Sequence, residues 1–405
     1  MKILHTGDWH IGQNFYGYER MEEHRSFFKQ LKAIVSREKP DAMVVCGDIF
    51  HNYSPSAEAQ RLYTESLVSI HNELPEMRII VTAGNHDSAS RLEVDNDLWQ
   101  LANVSVVGRL RYNDGGIDFA KHLFRIGDKG YVMALPYIFD QSYPTDPEGK
   151  DNRKFFFSLV DEYVRSANKE GLTTVLMAHI SVKGSELKGQ RIRGSEDSVG
   201  GIDYISSEDL GSAFDYVALG HIHHAQTIPG THNRIRYAGS PIPISFDEDY
   251  PHSVTIVNIE PGKEPQINFN DFVIDNPYPL LTVPKEPMKT EQAIAQLWND
   301  VPEHGKCYVR LNPEECHMFP ATMEDDTVNV LQQINPEARY TTFVPNLTKG
   351  ETSKMTQRDI TPDQLVKMDS IEVARDYFAM LDYDFDEYKE LFNKVIERIK
   401  REEAE

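Results

Sequence analysis

The stretch MKILHTGDWH, residues 1–10, decides the reading: an apolar strand runs without a break into Gly7, Asp8 and His10. The same grammar returns four times. AMVVCGDIFH (42–51), RIIVTAGNHD (78–87), TTVLMAH (173–179) and YVALGHIH (216–223) each carry a short β-prone run into Asp, Asn or His. Helical periodicity fills the intervals. Phe27, Phe28, Leu31, Ile34 and Val35 share one face of a helix that ends before Pro40. Leu62, Tyr63, Leu67, Ile70 and Leu74 make another, with Ser54 and Pro55 as its expected cap and first turn. Strands alternating with helices predict an α/β sheet with ligands gathered at the strand ends. Later strands at 236–238, 254–259 and 266–269 lack intervening helices and predict an antiparallel second layer.

The clusters are built from oxygen and imidazole donors with no thiolate, a set that suits manganese, iron or zinc. Asp8 and His10 are two residues apart, as are His221 and His223, so each pair can point to one side of an extended or turn segment. Two metals about 3.5–4 Å apart need a shared carboxylate, and they clamp the attacking and leaving oxygens of an in-line displacement. Asp48 is the natural bridge, with Asp8, His10 and His223 on one metal and Asn85, His179 and His221 on the other. His51 and His86 remain as non-ligand imidazoles able to protonate a leaving oxygen or stabilise charge. A lone DxH or HxH is a weak signal, and GNHD alone could be an ordinary turn. Five such clusters in order, each closing an apolar strand, are not. The other histidines read as strand, core or surface residues, and His224 as either a substrate contact or incidental.

The chain has 405 residues, with 42 Lys and Arg against 64 Asp and Glu, a net charge of -22. That balance argues against tight unaided binding to a phosphate backbone, though not against phosphodiester chemistry, which depends on the local field. The basic candidates for DNA contact are Lys183, Lys188, Arg191 and Arg193 in KGSELKGQRIRG (183–194), with Arg234 and Arg236 behind them. No apolar run approaches the eighteen or so residues of a membrane span, and no signal-type segment opens the chain. Three scattered cysteines exclude a disulfide framework. A cytoplasmic location is expected.

Beyond the strand-and-ligand region, 1–275, a segment at 276–345 has its own small α/β pattern. Its expected helices are 291–299 and 325–334, and its expected strands 307–311 and 339–344. Residues 346–361 hold almost nothing that could enter a core and read as a linker. The tail, 362–405, carries two helical patterns whose Tyr377, Phe378, Leu381, Phe385, Tyr388, Leu391, Phe392, Val395 and Ile399 form an apolar stripe suited to a partner's groove.

The order DxH, GDxxH, GNHD, H, GHxH resembles the calcineurin-like metallophosphoesterase superfamily. LHTGDWHIG (4–12), YVALGHIHHAQ (216–226) and IRYAGSPIPISFDE (235–248) narrow the likeness to the SbcD family of nuclease subunits. The resemblance implies a four-layer α/β sandwich, two β-sheets flanked by helices, with a small α/β capping domain at 276–345 that touches DNA and a C-terminal helical partner-binding tail. It implies two divalent metal ions, manganese first and iron or magnesium as alternatives. It implies 3′–5′ exonuclease and hairpin endonuclease activity on double-stranded DNA, in repair, recombination and replication. The partner would be an SbcC-like ABC-type ATPase, in a heterotetramer built on a homodimer, in a bacterial cytoplasm near the nucleoid.

Overall fold

The computed structural model describes residues 1–188, 204–314 and 322–344, together with Ile371, Arg375, Phe385 and Lys389. Two six-stranded sheets dominate. The first runs, edge to edge, Gln266–Asn268, Thr255–Asn258, Lys2–Thr6, Ala42–Cys46, Arg78–Thr82 and Val104–Val107. Its last four strands are parallel, and its first two pair antiparallel. The second runs Gln226–Thr227, Ile235–Tyr237, Tyr216–Gly220, Thr173–His179, Gly130–Ala134 and Leu123–Ile126. Its four inner strands are parallel and its two edges antiparallel.

Parallel strands buried on both faces read as continuous apolar runs, and all five residues of Ala42–Cys46 are buried. Alternate side chains then divide between neighbours. Ala42, Val44 and Cys46 share a cluster with Val175, Met177 and Ala218 of the second sheet. Met43 and Val45 share another with Phe27 and Leu31 of helix Met21–Glu38 and Leu67 and Ile70 of helix Ala57–Glu73. Leu176, Ala178, Val217 and Leu219 belong to a third, with Phe156, Phe157 and Val160 of helix Asn152–Ala167. That helix starts at Asp151, whose carboxylate accepts from the backbone N–H groups of Arg153 and Lys154, both at 3.0 Å. Each fully buried large side chain contributes about 1.5–3 kcal/mol relative to exposure.

Several expectations move. The cap of the second helix is Ser56, accepting from the Ala59 N–H at 3.2 Å, because Ser54 is engaged in a turn closed by Asn52. The late strands do not form a separate layer. Ile235–Tyr237 joins the second sheet in parallel, while Thr255–Asn258 and Gln266–Asn268 extend the first.

The chain divides into two compact units, Met1–Leu280 with Lys306–Tyr308, and Leu281–Gly305 with the residues from Val309 onward. A three-stranded sheet orders Leu280–Met288, Cys307–Pro313 and Ala338–Phe343, and the helices Thr290–Asp300 and Thr322–Ile334 lie between these strands in sequence. Ala293, Leu297, Val309, Leu311 and Leu331 are buried there. Among the described residues no helix is long and apolar enough to cross a membrane. Of the nine tail residues expected to meet a partner, only Phe385 is described: it is buried, with the Arg375 guanidinium 5.8 Å from its ring centroid. The other eight lie outside the described residues.

Candidate metal centre

The strand ends bring their loops together through backbone pairing. The Asp8 N–H donates to Gly47 O at 2.9 Å, His10 N–H to Asp48 O at 3.0 Å, and Ile11 N–H to Ile49 O at 2.9 Å. Asp87 fastens this arrangement from beneath, accepting from Gly84, Phe50 and Ile49 N–H groups at 2.8, 2.9 and 3.0 Å. Asp8, His10, Asp48 and His221 all have φ between 46° and 100°, a region that non-glycine residues occupy only when their surroundings insist. Gly47, at φ 78°, lies so close to His179 that an added Cβ would fall on its Nδ1. A Cβ on Gly220 would fall on the Cys46 carbonyl oxygen.

Around this floor the donor atoms converge. Those of Asp8, His10 and His223 lie within 4.8 Å of one another, as do those of Asp8, Asp48 and His179, and those of His10, His51 and His86. Asn85 Oδ1 is 3.0 Å from His179 Nε2 and 3.1 Å from His221 Nδ1. Asp48 Oδ2 is 3.4 Å from His179 Nε2 and 3.7 Å from His10 Nε2. Both ring nitrogens of His10 are buried with no hydrogen-bond partner among the described residues. Orphaned buried imidazole nitrogens facing carboxylates are what a cation would satisfy, and an O/N donor set without sulfur fits a hard or borderline divalent ion.

The supporting contacts set ring orientation. His223 Nδ1 meets Glu248 Oε1 at 2.8 Å, which leaves Nε2 for the centre, and Glu248 Oε2 accepts from Ile244 N–H at 2.8 Å. His179 Nδ1 donates to Cys46 O at 2.9 Å. His86 Nδ1 donates to His51 O at 2.8 Å, and its backbone N–H donates to Asp48 Oδ1 at 2.9 Å. The His51 and His86 rings stack with centroids 5.8 Å apart.

Residues 1–225 match the model of the calcineurin-like phosphoesterase family. The SbcD component of the SbcCD nuclease from Rhodobacter capsulatus is 34% identical over 302 residues, 71% of this chain and 72% of that one. Its counterpart in Escherichia coli is 30% identical over 319 residues, 74% and 75% of the two chains. That of Bacillus subtilis is 33% identical over 273 residues, 65% and 68%. The chain belongs to the SbcD family of calcineurin-like phosphoesterases. It is a metal-dependent nuclease, a hydrolase of phosphodiester bonds.

Electrostatics in this SbcD-family centre follow from burial set against proximity. Burial would lower His179, but Asp48, then Asp8 and the Cys46 carbonyl, outweigh it and carry its pKa up to about 9. His221 is pushed down to about 3 by burial and by His179. Burial raises Asp8 to about 6 against the pull of His179 and His223. Burial also acts to raise Asp48, yet His179, His10 and His86 hold its carboxyl well below the usual range. Asp48 is thus held as the anion, with the raised His179 ring as its strongest partner.

The nine residues expected at the site, seven ligands and two histidines, come together within the first unit of this SbcD-family chain. Of the four residues expected to contact DNA, two are described. Lys183 and Lys188 are exposed, with Lys188 Nζ 3.3 Å from Asp249, while Arg191 and Arg193 lie outside the described residues. Arg236 is interior, its guanidinium 4.3 Å from the Phe269 ring centroid and bonded to Thr255, so it is removed as a DNA contact. Sequence reasoning misses Glu248 and Asp87 as supports. Asp87 closes GNHD and Glu248 closes SFDE, so the motif stretches themselves are the available signal.

Proposed function

We propose that the chain is a two-metal, manganese-dependent phosphodiesterase cleaving double-stranded DNA as a 3′–5′ exonuclease and as an endonuclease at hairpins and ends. In this reading it is the nuclease subunit of an ATP-dependent complex with an SbcC-like ABC-type ATPase, serving DNA repair and recombination in the cytoplasm near the nucleoid. One observation carries the reading: Asp48 Oδ2 lies 3.7 Å from His10 Nε2 and 3.4 Å from His179 Nε2, and His179 in turn meets Asn85, so one carboxylate reaches both donor sets. Asp8, His10 and His223 would hold one ion, and Asn85, His179 and His221 the other, with Asp48 shared.

When bound, two such ions polarise phosphoryl oxygens and supply a nucleophile of lowered pKa. The protein does the rest. Asp48 would be shared by both ions and Asp8 would help to hold one. His86, its Nδ1 tied to His51 O, presents Nε2 as the proton donor to the leaving oxygen, and His51 packs behind it. Glu248 keeps His223 in one orientation.

The remaining architecture is read in the same frame. Three apolar clusters, one shared by both sheets and two shared with helices, support a four-layer sandwich over 1–275. The change of compact unit near residue 280 supports a capping domain at 276–345, while the linker 346–361 and the helical partner-binding region 362–405 rest on sequence pattern. Val94, in the turn before helix Asn96–Leu101, and Leu98 and Leu101 on that helix are 76%, 65% and 84% exposed, and large exposed apolar side chains so close in the chain support a homodimer.

The test is cleavage of linear and hairpin duplex DNA by the purified chain with manganese, with and without an SbcC-type ATPase. Activity on a simple phosphodiester but on neither DNA would replace this reading with that of a small-molecule phosphoesterase.

A further inference from the structure

Most donors of the centre are buried, Asp8 and His179 at 0% exposed, His10 and Asp48 at 2% and His223 at 8%, and the centre opens to solvent at the partly exposed Asn85 and His221. Above them stands a group of aromatic side chains with no part in holding a metal. The Tyr137 ring meets His179 edge-on, with centroids 6.1 Å apart, and the Phe139 ring meets Tyr137 edge-on at 5.1 Å. Phe139 is 47% exposed, and Tyr53, two residues beyond His51, is 52% exposed. This group is indexed to the centre by the backbone. Tyr137 N–H donates to Ala83 O at 2.8 Å, immediately before Gly84-Asn85-His86, and Leu135 N–H donates to Met177 O at 2.9 Å, two residues before His179.

A phosphodiester that reaches so deep a floor must leave the stacked helix, and the base it carries loses its neighbour. An unstacked base regains free energy on an exposed aromatic face. The need is greater here because the chain's charge is -22 and attraction to the phosphate backbone is correspondingly weak. We propose that Phe139, backed by Tyr137 and with the exposed Tyr53 after His51 as a second ring, stacks on the unpaired terminal base of the strand whose scissile phosphate enters the centre. The rim thus selects frayed or single-stranded ends over fully paired ones. Tyr137 also touches a proposed ligand, so Phe139 and Tyr53, both exposed, are the residues to vary.

The inference rests on the DNA reading above. Its test is a cycle between ring and base: wild type and Phe139→Ala, each assayed with manganese on an oligonucleotide bearing either a normal terminal base or an abasic terminal sugar. In wild type, removing the base should raise KM by roughly 5- to 150-fold, the range for one stacked base, with kcat changed by no more than about twofold. Phe139→Ala should show the same rise with the normal base and no further rise with the abasic end. Tyr53→Ala should show a smaller effect of the same kind, and Phe139→Trp should restore the low KM. Fluorescence of a terminal 2-aminopurine should be quenched on binding to wild type and not to Phe139→Ala. Wild type that cleaves DNA while Phe139→Ala responds to base removal as fully as wild type overturns this inference alone. Wild type inactive on both oligonucleotides overturns the DNA reading and this inference with it.

Discussion

The loops of the two sheets contribute to one centre in different ways. Those of the first sheet support one another. Residues 8–11 and 47–51 exchange backbone hydrogen bonds, and Asp87 gathers three N–H groups from 49, 50 and 84. Those of the second sheet lean on the first: His179 is held by the Cys46 carbonyl, and the His221 N–H donates to Asp8 Oδ1 at 2.9 Å. His223 depends on Glu248, from the segment after Ile235–Tyr237. Loss of the shared Asp48, in the first sheet's loops, should therefore spread through the centre, and damage in the second's should stay local.

The largest effect expected is at Asp48. Asp48→Ala removes the shared carboxylate and exposes the two cations to mutual repulsion, so both sites should lose occupancy and activity should fall more than about ten-thousandfold. Asp8→Ala should mainly empty one site. Metal content of the purified variants decides it, and single-site loss in both would break the comparison. Next comes His86→Gln, expected to lower cleavage by about a hundred- to ten-thousandfold while both metals stay bound, because its imidazole acts on the substrate. Loss of metal together with activity would make His86 structural. Glu248→Gln sharpens the contrast from the other side. One metal should bind about 10- to 100-fold more weakly and the other normally, as read by titration calorimetry.

The smallest effect concerns His24, whose Nε2 lies 2.9 Å from Trp9 O within the first metal loop. Burial, and then Arg20, hold its pKa down at about 4 against an ordinary 6.5. The unfolded chain thus takes up the proton first as pH falls. The stability His24 contributes is full above pH 6.5 and is lost between 6.5 and about 4. The gap in unfolding free energy between wild type and His24→Gln should narrow over that window, by up to about 1.4 kcal/mol per pH unit. Urea melts across pH 4–8 measure it, and a gap independent of pH would contradict the burial argument.

The contrast between the sheets also explains what could be read in advance. Asp8, His10, Asp48, Asn85, His179, His221 and His223 were legible because each follows an apolar strand, and strand ends are set by local pattern. The strands Leu123–Ile126 and Gly130–Ala134 end in no ligand and escaped for that reason. Leu280–Met288 was hidden by Pro284 and Pro287, residues that ordinarily argue against a strand. Arg236 looked like a basic surface residue, and only the packing of Phe269 and Thr255 shows that it is interior. Glu248 and Tyr137 were out of reach for a deeper reason: their roles depend on contacts across the fold, with His223 and His179, that no local spacing encodes.

The tight floor beneath Gly47 and Gly220 has a consequence for how such an enzyme can diversify. A single added methyl at either position meets an imidazole or a carbonyl of the opposite sheet. In a saturation scan read for folding, these two columns should be blank while Tyr53 and Phe139 accept many replacements. Lineages that share this chemistry would then differ in what they cut through their rims, over a floor that admits almost no drift.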